Sequence, residues 1–321
     1  MDALNRITPP ARLGDRLVIR HRLPGGSATD TIGWLEDETA ERLTLSELSG
    51  AAVQIDRPVI LAARRLPAAR GGRDPLRTSA AQLERVAVEG WFAERQPLGE
   101  WTLRSGGGFT GRANSCLAVG DPGVPVKEAA ERIVEFAEQR GSRPWAQVIS
   151  DSAEEGALRG LGWTEVYVET DVLVTRLAGL LDGTEPDPRV LVTERLEPDW
   201  ERSYATSRPT DADPAIVRRI LDNGPPRAYA GAAGSNQLIA IGRGHVSADW
   251  LGVAAVWTEP GHRRQGWAAR VLIGLGHWAA RRGARWVYLQ VTTENEGAHR
   301  AYQRLGFRRH HAYRYLAAPR R

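Results

Sequence analysis

The chain has 321 residues, of which 42% are hydrophobic and 26% are charged, a composition typical of folded globular domains. This length allows two or three domains. No apolar run approaches the roughly 18 residues of a membrane helix, the N-terminus lacks an apolar signal-peptide core, and Cys116 is the single cysteine. These features predict a cytoplasmic protein with no membrane partner, no intramolecular disulfide and no thiol-based metal site.

The charge is distributed unevenly along the chain. The net charge is +4, but the segment from Arg243 to the end has 14 arginines and 4 acidic residues, which gives it +10 and leaves −6 for the rest. A basic C-terminal segment suits a phosphate-bearing ligand, and it suits nucleic acid equally well. Charge alone therefore leaves both ligand classes open.

Short strand-like runs separated by turn residues fill the region between residues 14 and 66. The runs are residues 16–20, 31–35, 42–45, 52–55 and 59–62. Their close spacing predicts a small β-barrel over residues 1–66. This region has 9 basic and 9 acidic residues, which argues against a nucleic-acid footprint. We expect a docking or spacer domain.

A Gly- and Pro-rich linker over residues 67–75 precedes a helical pattern at residues 80–92. A strand at 101–104 leads into a glycine-rich loop, residues 106–115, which lacks the glycine spacing and the lysine of a nucleotide P-loop. The loop is interpreted as a tight turn, with substrate contact as the alternative. A helix at 126–139 follows, with apolar residues at helical spacing.

An internal repeat relates residues 152–163 to residues 296–307. Both segments are interpreted as a short helix that ends in Leu-Gly-aromatic and leads into a strand. The repeat predicts two modules, residues 76–181 and 189–321. The first has Leu158 where the second has Tyr302 and lacks an Arg-x-x-Gly-x-Ala turn, so we expect it to keep the scaffold without the chemistry.

In the second module, an apolar strand at residues 250–257 leads through a turn into a helix with a regular apolar stripe. The turn and the helix start contain Arg263, Arg264, Gln265, Gly266, Trp267 and Ala268. Free backbone N–H groups at a helix N-terminus bind anions, and Gly266 and Ala268 allow a phosphate to approach closely. A plain strand–turn–helix junction is the alternative.

Two further features could serve acyl transfer. If the strand at 287–292 diverges from the end of the strand at 250–257, a backbone N–H becomes free to bind an oxyanion; an ordinary core strand fits equally well. Tyr302 could give a proton to a leaving group, or it could be a buried structural tyrosine. Asn295 opens the helix of Tyr302, where it is either an N-cap or a ligand contact.

Three motifs in order resemble those of the Gcn5-related N-acetyltransferase (GNAT) family. They are Arg263-x-x-Gly266-x-Ala268, Asn295-x-x-Ala298-x-x-x-Tyr302 and Leu305-Gly306-Phe307. Ala268 stands where glycine is commoner. The resemblance implies an α+β fold whose mixed, mostly antiparallel sheet is splayed at its centre. The whole layout resembles a group of actinobacterial acetyltransferases with an N-terminal SH3-like barrel and tandem GNAT-like modules, of which the first is degenerate here.

The resemblance also implies the donor and the roles of the site residues. Acetyl-CoA is the acetyl donor, residues 263–268 hold its pyrophosphate, and Val256, Trp257 and Thr258 contact its pantetheine or acetyl group through their backbone. Asn295 reaches the pantetheine arm, and Tyr302 is the general acid.

We therefore expect an N-acetyltransferase that acts by direct attack of a primary amine, either a small amine such as glutamate or a protein lysine. Cys116 lies in the degenerate module, so no covalent cysteine intermediate is expected, and no metal is expected. Asp249, Glu259 and His245 are candidates for the general base by position only. A non-catalytic acyl-CoA-binding sensor and a DNA-associated protein are the alternatives. The sequence leaves the acceptor, the base, the oligomeric state and the role of the barrel open.

Overall fold

The computed structural model describes residues 11, 15–47, 52–66, 74–91, 93–234 and 237–319. The chain forms two compact units, residues 1–77 with 280–283, and residues 78–279 with 284–321. Most of the predicted linker, residues 67–73, lies outside the described residues. Within the described ranges, no helix has the length and apolar character needed to cross a membrane.

The first unit contains an antiparallel sheet with the strand order β4-β3-β2-β1-β5. Its strands are β1 Arg16–Arg22, β2 Ala28–Glu38, β3 Arg42–Glu47, β4 Ala52–Asp56 and β5 Ile60–Arg65. Each of the five predicted runs overlaps one of these strands. One face of the sheet is apolar because alternate residues point to the same side, and Leu17, Ile19, Leu35 and Leu43 are fully buried there.

The second unit combines helices with one large sheet, which confirms the predicted mixed α+β architecture. The helices are α1 Ala80–Glu89, α2 Val126–Glu138, α3 Ala153–Gly160, α4 Leu177–Leu180, α5 Pro198–Ser207, α6 Pro214–Leu221, α7 Trp267–Ala280 and α8 Glu296–Arg304. The strands are β6 Glu94–Leu98, β7 Trp101–Ser105, β8 Cys116–Leu117, β9 Trp145–Ile149, β10 Thr164–Glu165, β11 Thr170–Arg176, β12 Val190–Thr193, β13 Arg227–Ala233, β14 Leu238–Ser247, β15 Trp250–Thr258, β16 Trp286–Thr292 and β17 Arg308–Ala317.

The strand order of this sheet is β12-β13-β14-β15-β16-β11-β17-β9-β8-β7-β6, and β10 pairs with β17. Neighbouring strands are antiparallel except for the parallel pairs β15–β16 and β8–β9. The sheet is therefore mixed and mostly antiparallel. It runs without interruption through the residues that the repeat assigns to two modules.

The continuity comes from an exchange of strands between the two halves of the unit. β11, from the first half, lies between β16 and β17 of the second half, in register from Thr170 opposite Thr292 to Arg176 opposite Trp286. β17 in turn pairs with β9 of the first half. Each half therefore completes the sheet of the other.

The repeated segments end in the same helix cap. At the end of α8 the N–H of Phe307 donates to the carbonyl of Tyr302 (3.1 Å), and at the end of α3 the N–H of Trp163 donates to the carbonyl of Leu158 (3.1 Å). The glycine before each aromatic residue has a positive φ, 81° and 85°. This is the Schellman arrangement, so Leu158 and Tyr302 occupy equivalent helical positions.

The two faces of β15 pack against different parts of the unit. Val253 and Val256 join the apolar cluster around α7, which includes Val271 and Leu275. Ala255 and Trp257 join a second cluster, which contains Trp91, Phe109, Trp200, Tyr204 and Tyr229. The end of β15 therefore has a helix on one side and an aromatic wall on the other.

Candidate active site

Strands β15 and β16 pair over their first halves and then diverge. The register runs from Trp250 opposite Trp286 to Val253 opposite Leu289. Beyond this point β15 continues to Thr258 and β16 to Thr292, and no described strand bridges them. The divergence considered from the sequence is present, and beyond Val253 the facing edge of β15 is not paired with β16.

A β-bulge lies in β15 at the start of this divergence. Trp257 pairs with Ile241 of β14 and Ala254 pairs with Arg243, so two residues of β15 oppose one residue of β14. Ala255, inside the bulge, has φ = 56°, in the left-handed region that costs a non-glycine residue about 1–2 kcal/mol. A bulge turns the backbone and redirects its polar groups. Backbone strain of this kind is common at functional sites.

The residues expected to contact the donor through their backbone lie along this edge. Val256 packs toward the α7 cluster and Trp257 toward the aromatic wall, so their side chains point away from the gap between the strands. The carbonyl of Thr258 accepts a hydrogen bond from Nε of Arg263 (3.2 Å). This bond ties the end of β15 to the turn that follows.

The turn before α7 is open to solvent. It begins with a 3₁₀ turn over Pro260–His262, and Arg263, Arg264, Gln265 and Gly266, which follow, are all exposed. Arg264 and Gly266 have positive φ values of 62° and 80°. The first turn of α7 contains no acidic residue, so no carboxylate of its own competes for the free N–H groups and the positive end of the helix dipole. The geometry suits an anion.

Trp267 and Ala268 start the helix, and Trp267 anchors it. Its side chain is buried, and the guanidinium carbons of Arg189 and Arg270 each lie 4.9 Å from its ring centroid. Asp187 links these arginines through contacts of 2.6 and 2.9 Å, and the hydrogen bonds from Arg189 hold the pKa of Asp187 well below its usual range. The ring of Trp267 is therefore in contact with two arginines that share one carboxylate.

Tyr302 is buried on α8 and packs against Phe307, with 5.7 Å between ring centroids. Burial raises the pKa of its phenol to about 12, although Arg208 opposes the shift. No described residue hydrogen-bonds to its hydroxyl group. Tyr302 thus keeps its proton at neutral pH and has it free to donate. Asn295 caps α8 because its Oδ1 accepts the N–H of Ala298 (3.1 Å).

Two of the three candidate bases are poorly suited to the role. His245 is buried, its Nε2 lies 2.9 Å from the hydroxyl of Tyr288, and burial followed by the charge of Arg243 lowers its pKa to about 3. Asp249 precedes β15, about 20 Å along the strand from the bulge. Glu259 follows β15 and accepts a hydrogen bond from Gln237 (2.7 Å); it alone lies at the diverging end.

The aromatic wall opposite the bulge was not predicted from the sequence. Phe109 comes from the glycine-rich loop and Tyr204 from α5, and both pack in the cluster that contains Ala255. Asn114 folds this loop, because its Oδ1 accepts the N–H groups of Gly106 and Gly108 at 2.9 Å. Glycine content predicted a turn, but no feature of the sequence connected that turn to β15. Among the described residues, no His, Cys, Asp and Glu cluster is suited to a metal.

Two curated relatives are similar over much of their length. The chain is 29% identical over 323 residues to "Probable histone acetyltransferase Rv0428c" of Mycobacterium tuberculosis, covering 95% of each chain. It is 26% identical over 234 residues to "Uncharacterized N-acetyltransferase YobR" of Bacillus subtilis, covering 70% of this chain and 93% of that protein.

A solved structure and a family model are also similar to the chain. A GCN5-related N-acetyltransferase from Kribbella flavida has the same fold, with a TM-score of 0.56 at 18% identity, covering 76% of this chain and 97% of that one. The family described as "Probable histone acetyltransferase Rv0428c C-terminal" matches residues 78–316, which include the diverging strands, the α7 turn and Tyr302. The chain belongs to this acetyltransferase family.

Proposed function

We propose that the chain is an N-acetyltransferase that transfers the acetyl group of acetyl-CoA to a primary amine. The observation that carries the proposal is the divergence of β15 and β16 beyond Val253 and Leu289, with the bulge at Ala255 at its start. It opens a gap between two strands in the middle of a sheet, where a thioester can meet backbone donors away from bulk water.

The donor occupies the gap and the turn beyond it. Residues 263–268 hold the pyrophosphate through helix N–H groups and arginine charge. The backbone of Val256, Trp257 and Thr258 contacts the pantetheine and acetyl groups. Asn295 uses Oδ1 for its cap, and its exposed amide N–H₂ contacts the pantetheine arm.

The reaction is a direct transfer. The neutral amine attacks the thioester carbon, a backbone N–H of β15 stabilises the oxyanion, the new C–N bond forms and the C–S bond breaks. Tyr302 gives its proton to the departing thiolate, and the amine loses a proton to solvent or to Glu259. Cys116 is buried, and burial raises the pKa of its thiol to about 12. Its thiol is therefore a poor nucleophile, which supports a route without a covalent enzyme intermediate.

The domain assignment is also part of this proposal. The equivalent caps of α3 and α8 support a degenerate GNAT-like module at residues 76–181 and a catalytic module at 189–321. The antiparallel sheet of β1 to β5 supports an SH3-like barrel at residues 1–66.

Isothermal titration of acetyl-CoA tests the donor site. Gly266→Glu places a carboxylate in the turn, where it repels the pyrophosphate. We expect the affinity of this variant for acetyl-CoA to be more than about tenfold lower than that of the wild type, which corresponds to about 1.4 kcal/mol. Gly283→Glu is the matched control, because Gly283 has nearly the same φ (79° against 80°) but follows the other end of α7. Circular dichroism establishes that both variants fold.

The outcomes separate the alternatives. Binding by the wild type and by Gly283→Glu, but not by Gly266→Glu, supports the assigned turn. A folded wild type that does not bind acetyl-CoA, or equal binding by all three proteins, refutes it. Tight binding with no thiol release in the presence of any amine would identify a non-catalytic acyl-CoA sensor instead.

A further inference from the structure

The aromatic wall beside the bulge carries three arginines from distant parts of the chain. Arg243 lies on β14 and is 1% exposed. Its Nε donates to the carbonyl of Leu221 and one terminal nitrogen donates to the carbonyl of Gly90, both at 2.9 Å. Its other terminal nitrogen, Nη2, is buried and has no partner among the described residues. A buried guanidinium with an unused donor is costly unless a ligand supplies an acceptor.

Arg112 lies next to Arg243 across a shared aromatic ring. The guanidinium carbon of Arg112 is 5.1 Å from the centroid of Trp91, and that of Arg243 is 5.5 Å from the same centroid. Arg112 donates a long hydrogen bond, 3.4 Å, to the hydroxyl of Tyr313. Arg112 comes from the glycine-rich loop, so that loop contributes a charge to this wall.

Arg208 follows α5 and completes the group. Its guanidinium carbon lies 5.7 Å from the ring of Tyr204. The side chain is exposed to solvent, yet enough protein surrounds it that desolvation lowers the pKa of its guanidinium. Arg208 is therefore the member of the group that solvent reaches most easily.

The two rings that the three guanidinium groups contact, Trp91 and Tyr204, belong to the same aromatic cluster. Burial raises the pKa of Tyr204, and Arg208, Arg112 and Arg243 all lower it through their charge. Arg208 also acts on Tyr302, so this positive region adjoins the expected general acid. It adjoins the bulge as well, because Tyr204 packs in the cluster of Ala255.

No acidic residue in the described part of the chain forms an ion pair with Arg112, Arg208 or Arg243. Arginines elsewhere in the same unit are paired: Arg314 lies 3.0 Å from Glu155, and Arg309 lies 2.6 Å from Asp171. Three guanidinium groups without an acidic partner, placed around one aromatic cluster, attract an anion strongly and repel a cation. This excess of positive charge distinguishes between a small amine and a protein lysine, the two acceptor classes that remain open.

We propose that the acceptor is a small amine that carries a carboxylate, and that Arg112, Arg208 and Arg243 bind this carboxylate beside the bulge. The inference rests on the proposed function and names its acceptor class. Guanidinium groups match carboxylates in shape and charge, and the aromatic rings of Trp91 and Tyr204 hold them in place. A lysine in a basic protein tail would bring further positive charge to these three arginines and is disfavoured.

Acceptor pairs that differ in one group test the proposal. The purified protein is given acetyl-CoA and one acceptor at a time: an amino acid, the carboxamide of that amino acid, or the amine formed by its decarboxylation. The series is run once with an amino acid that has a side-chain carboxylate and once with one that lacks it. A lysine-rich peptide is tested separately. Thiol release gives rates, and mass spectrometry identifies the acetylated product. We expect kcat/KM to be about 10- to 100-fold higher for the carboxylate than for its carboxamide, the range for charge-assisted hydrogen bonds.

Arg112→Gln and Arg208→Gln then test the residues. Each substitution should raise KM for the carboxylate acceptor and reduce the ratio of kcat/KM for the carboxylate to kcat/KM for the carboxamide. The dissociation constant for acetyl-CoA should stay unchanged. Arg219→Gln, an exposed arginine on α6, is the control and should change neither. Arg243→Lys, which retains the charge, tests the buried position with less risk to folding than removal of the charge.

Failure of this inference differs from failure of the proposed function. If the wild type binds acetyl-CoA and acetylates amines or the peptide without regard to the carboxylate, the acceptor class is wrong and the acetyltransferase stands. If the arginine variants weaken the binding of acetyl-CoA, the three arginines bind the donor and not the acceptor. In that case too the proposed acceptor class is wrong and the acetyltransferase stands. If acetyl-CoA does not bind at all, the proposed function itself fails.

Discussion

At the scale of single residues, the hydroxyl of Tyr302 distinguishes the two repeated helices. Leu158 and Tyr302 occupy the same position relative to their helix caps, and both are buried. A leucine meets the packing requirement of that position fully. A tyrosine adds a hydroxyl group that packing does not require and that no described residue hydrogen-bonds. This hydroxyl group is the one that the proposed role of general acid would use.

We expect Tyr302→Phe to lower kcat by about 10²- to 10⁴-fold, the usual contribution of a positioned general acid. The affinity for acetyl-CoA should not change, since phenylalanine keeps the ring and its contact with Phe307. Steady-state kinetics with a thiol readout and titration of acetyl-CoA measure the two quantities. Undiminished turnover in a folded Tyr302→Phe protein would remove Tyr302 from the mechanism.

The pH dependence adds a second test of the same residue. An acid is lost from the catalytic form as the pH rises through its pKa, and burial moves the pKa of Tyr302 from 10.0 to about 12. The wild type should therefore keep its proton donor between pH 10 and 12, where an exposed tyrosine would ionise. A fall in kcat with a midpoint near 10 that is absent from Tyr302→Phe would show that the phenol is not shielded.

The three arginines mark the limit of what residue types alone predict. Arg112, Arg208 and Arg243 lie in a loop, at a helix end and in a strand, and no spacing rule connects such positions. The α7 turn and the cap of α8 were predictable because their residues are local in sequence, where helix geometry fixes their relations. The convergence of the arginines depends on which elements the fold brings together.

At the scale of elements, the paired half of β15 and β16 depends on a close approach to His245. Gly252 pairs with Tyr288 on one side and with His245 on the other. A Cβ atom at Gly252 would overlap the His245 ring and the Tyr288 hydroxyl, which are themselves joined at 2.9 Å. A Cβ at Gly90 would overlap the same ring. The glycines therefore make room for a buried histidine just before the strands diverge.

We expect Gly252→Ala to lower the free energy of unfolding by about 1–3 kcal/mol or more, the cost of overpacking a core. Gly156→Ala is the control, because Gly156 is exposed within α3 and a Cβ there meets no atom within 4 Å; alanine should stabilise the helix by about 0.5–1 kcal/mol. Urea denaturation measures both variants. Equal stability of Gly252→Ala and the wild type would show that the strands adjust and that the close approach is unimportant.

Local sequence patterns predicted many elements but not all of their partners. The alternating runs of the first unit and the apolar stripe of α7 correspond to the observed strands and helix, because side-chain period follows directly from backbone geometry. The strand expected after the repeated segment at residues 152–163 is divided into β10 and β11. Its pairing with β16 was not predicted, since period 2 identifies a strand and leaves its neighbours undetermined.

At the scale of the whole molecule, the exchanged strands make the two halves of the second unit depend on each other. β11 lies between two strands of the other half. The hydroxyl of Thr175 donates to the carbonyl of Gly306 (3.0 Å), and Nε of Arg309 donates to Asp171 (2.6 Å). Without β11, β16 would expose an unpaired edge next to the proposed donor site. The half without the predicted catalytic residues thus supports the half that has them.

A cut between the halves tests this dependence. Gly183 lies in an exposed segment after α4, with φ = 63°, and a Cβ atom at this position would meet no atom within 4 Å, so a protease site inserted there should be tolerated. After cleavage we expect the fragments to remain together in native size-exclusion chromatography, to separate only in denaturant, and to bind acetyl-CoA as the uncut insertion protein does. The paired edges of β11 and β17 provide the main-chain hydrogen bonds that hold them. Fragments that separate on cleavage, with the C-terminal one still binding acetyl-CoA, would show instead that the C-terminal half is complete without its neighbour.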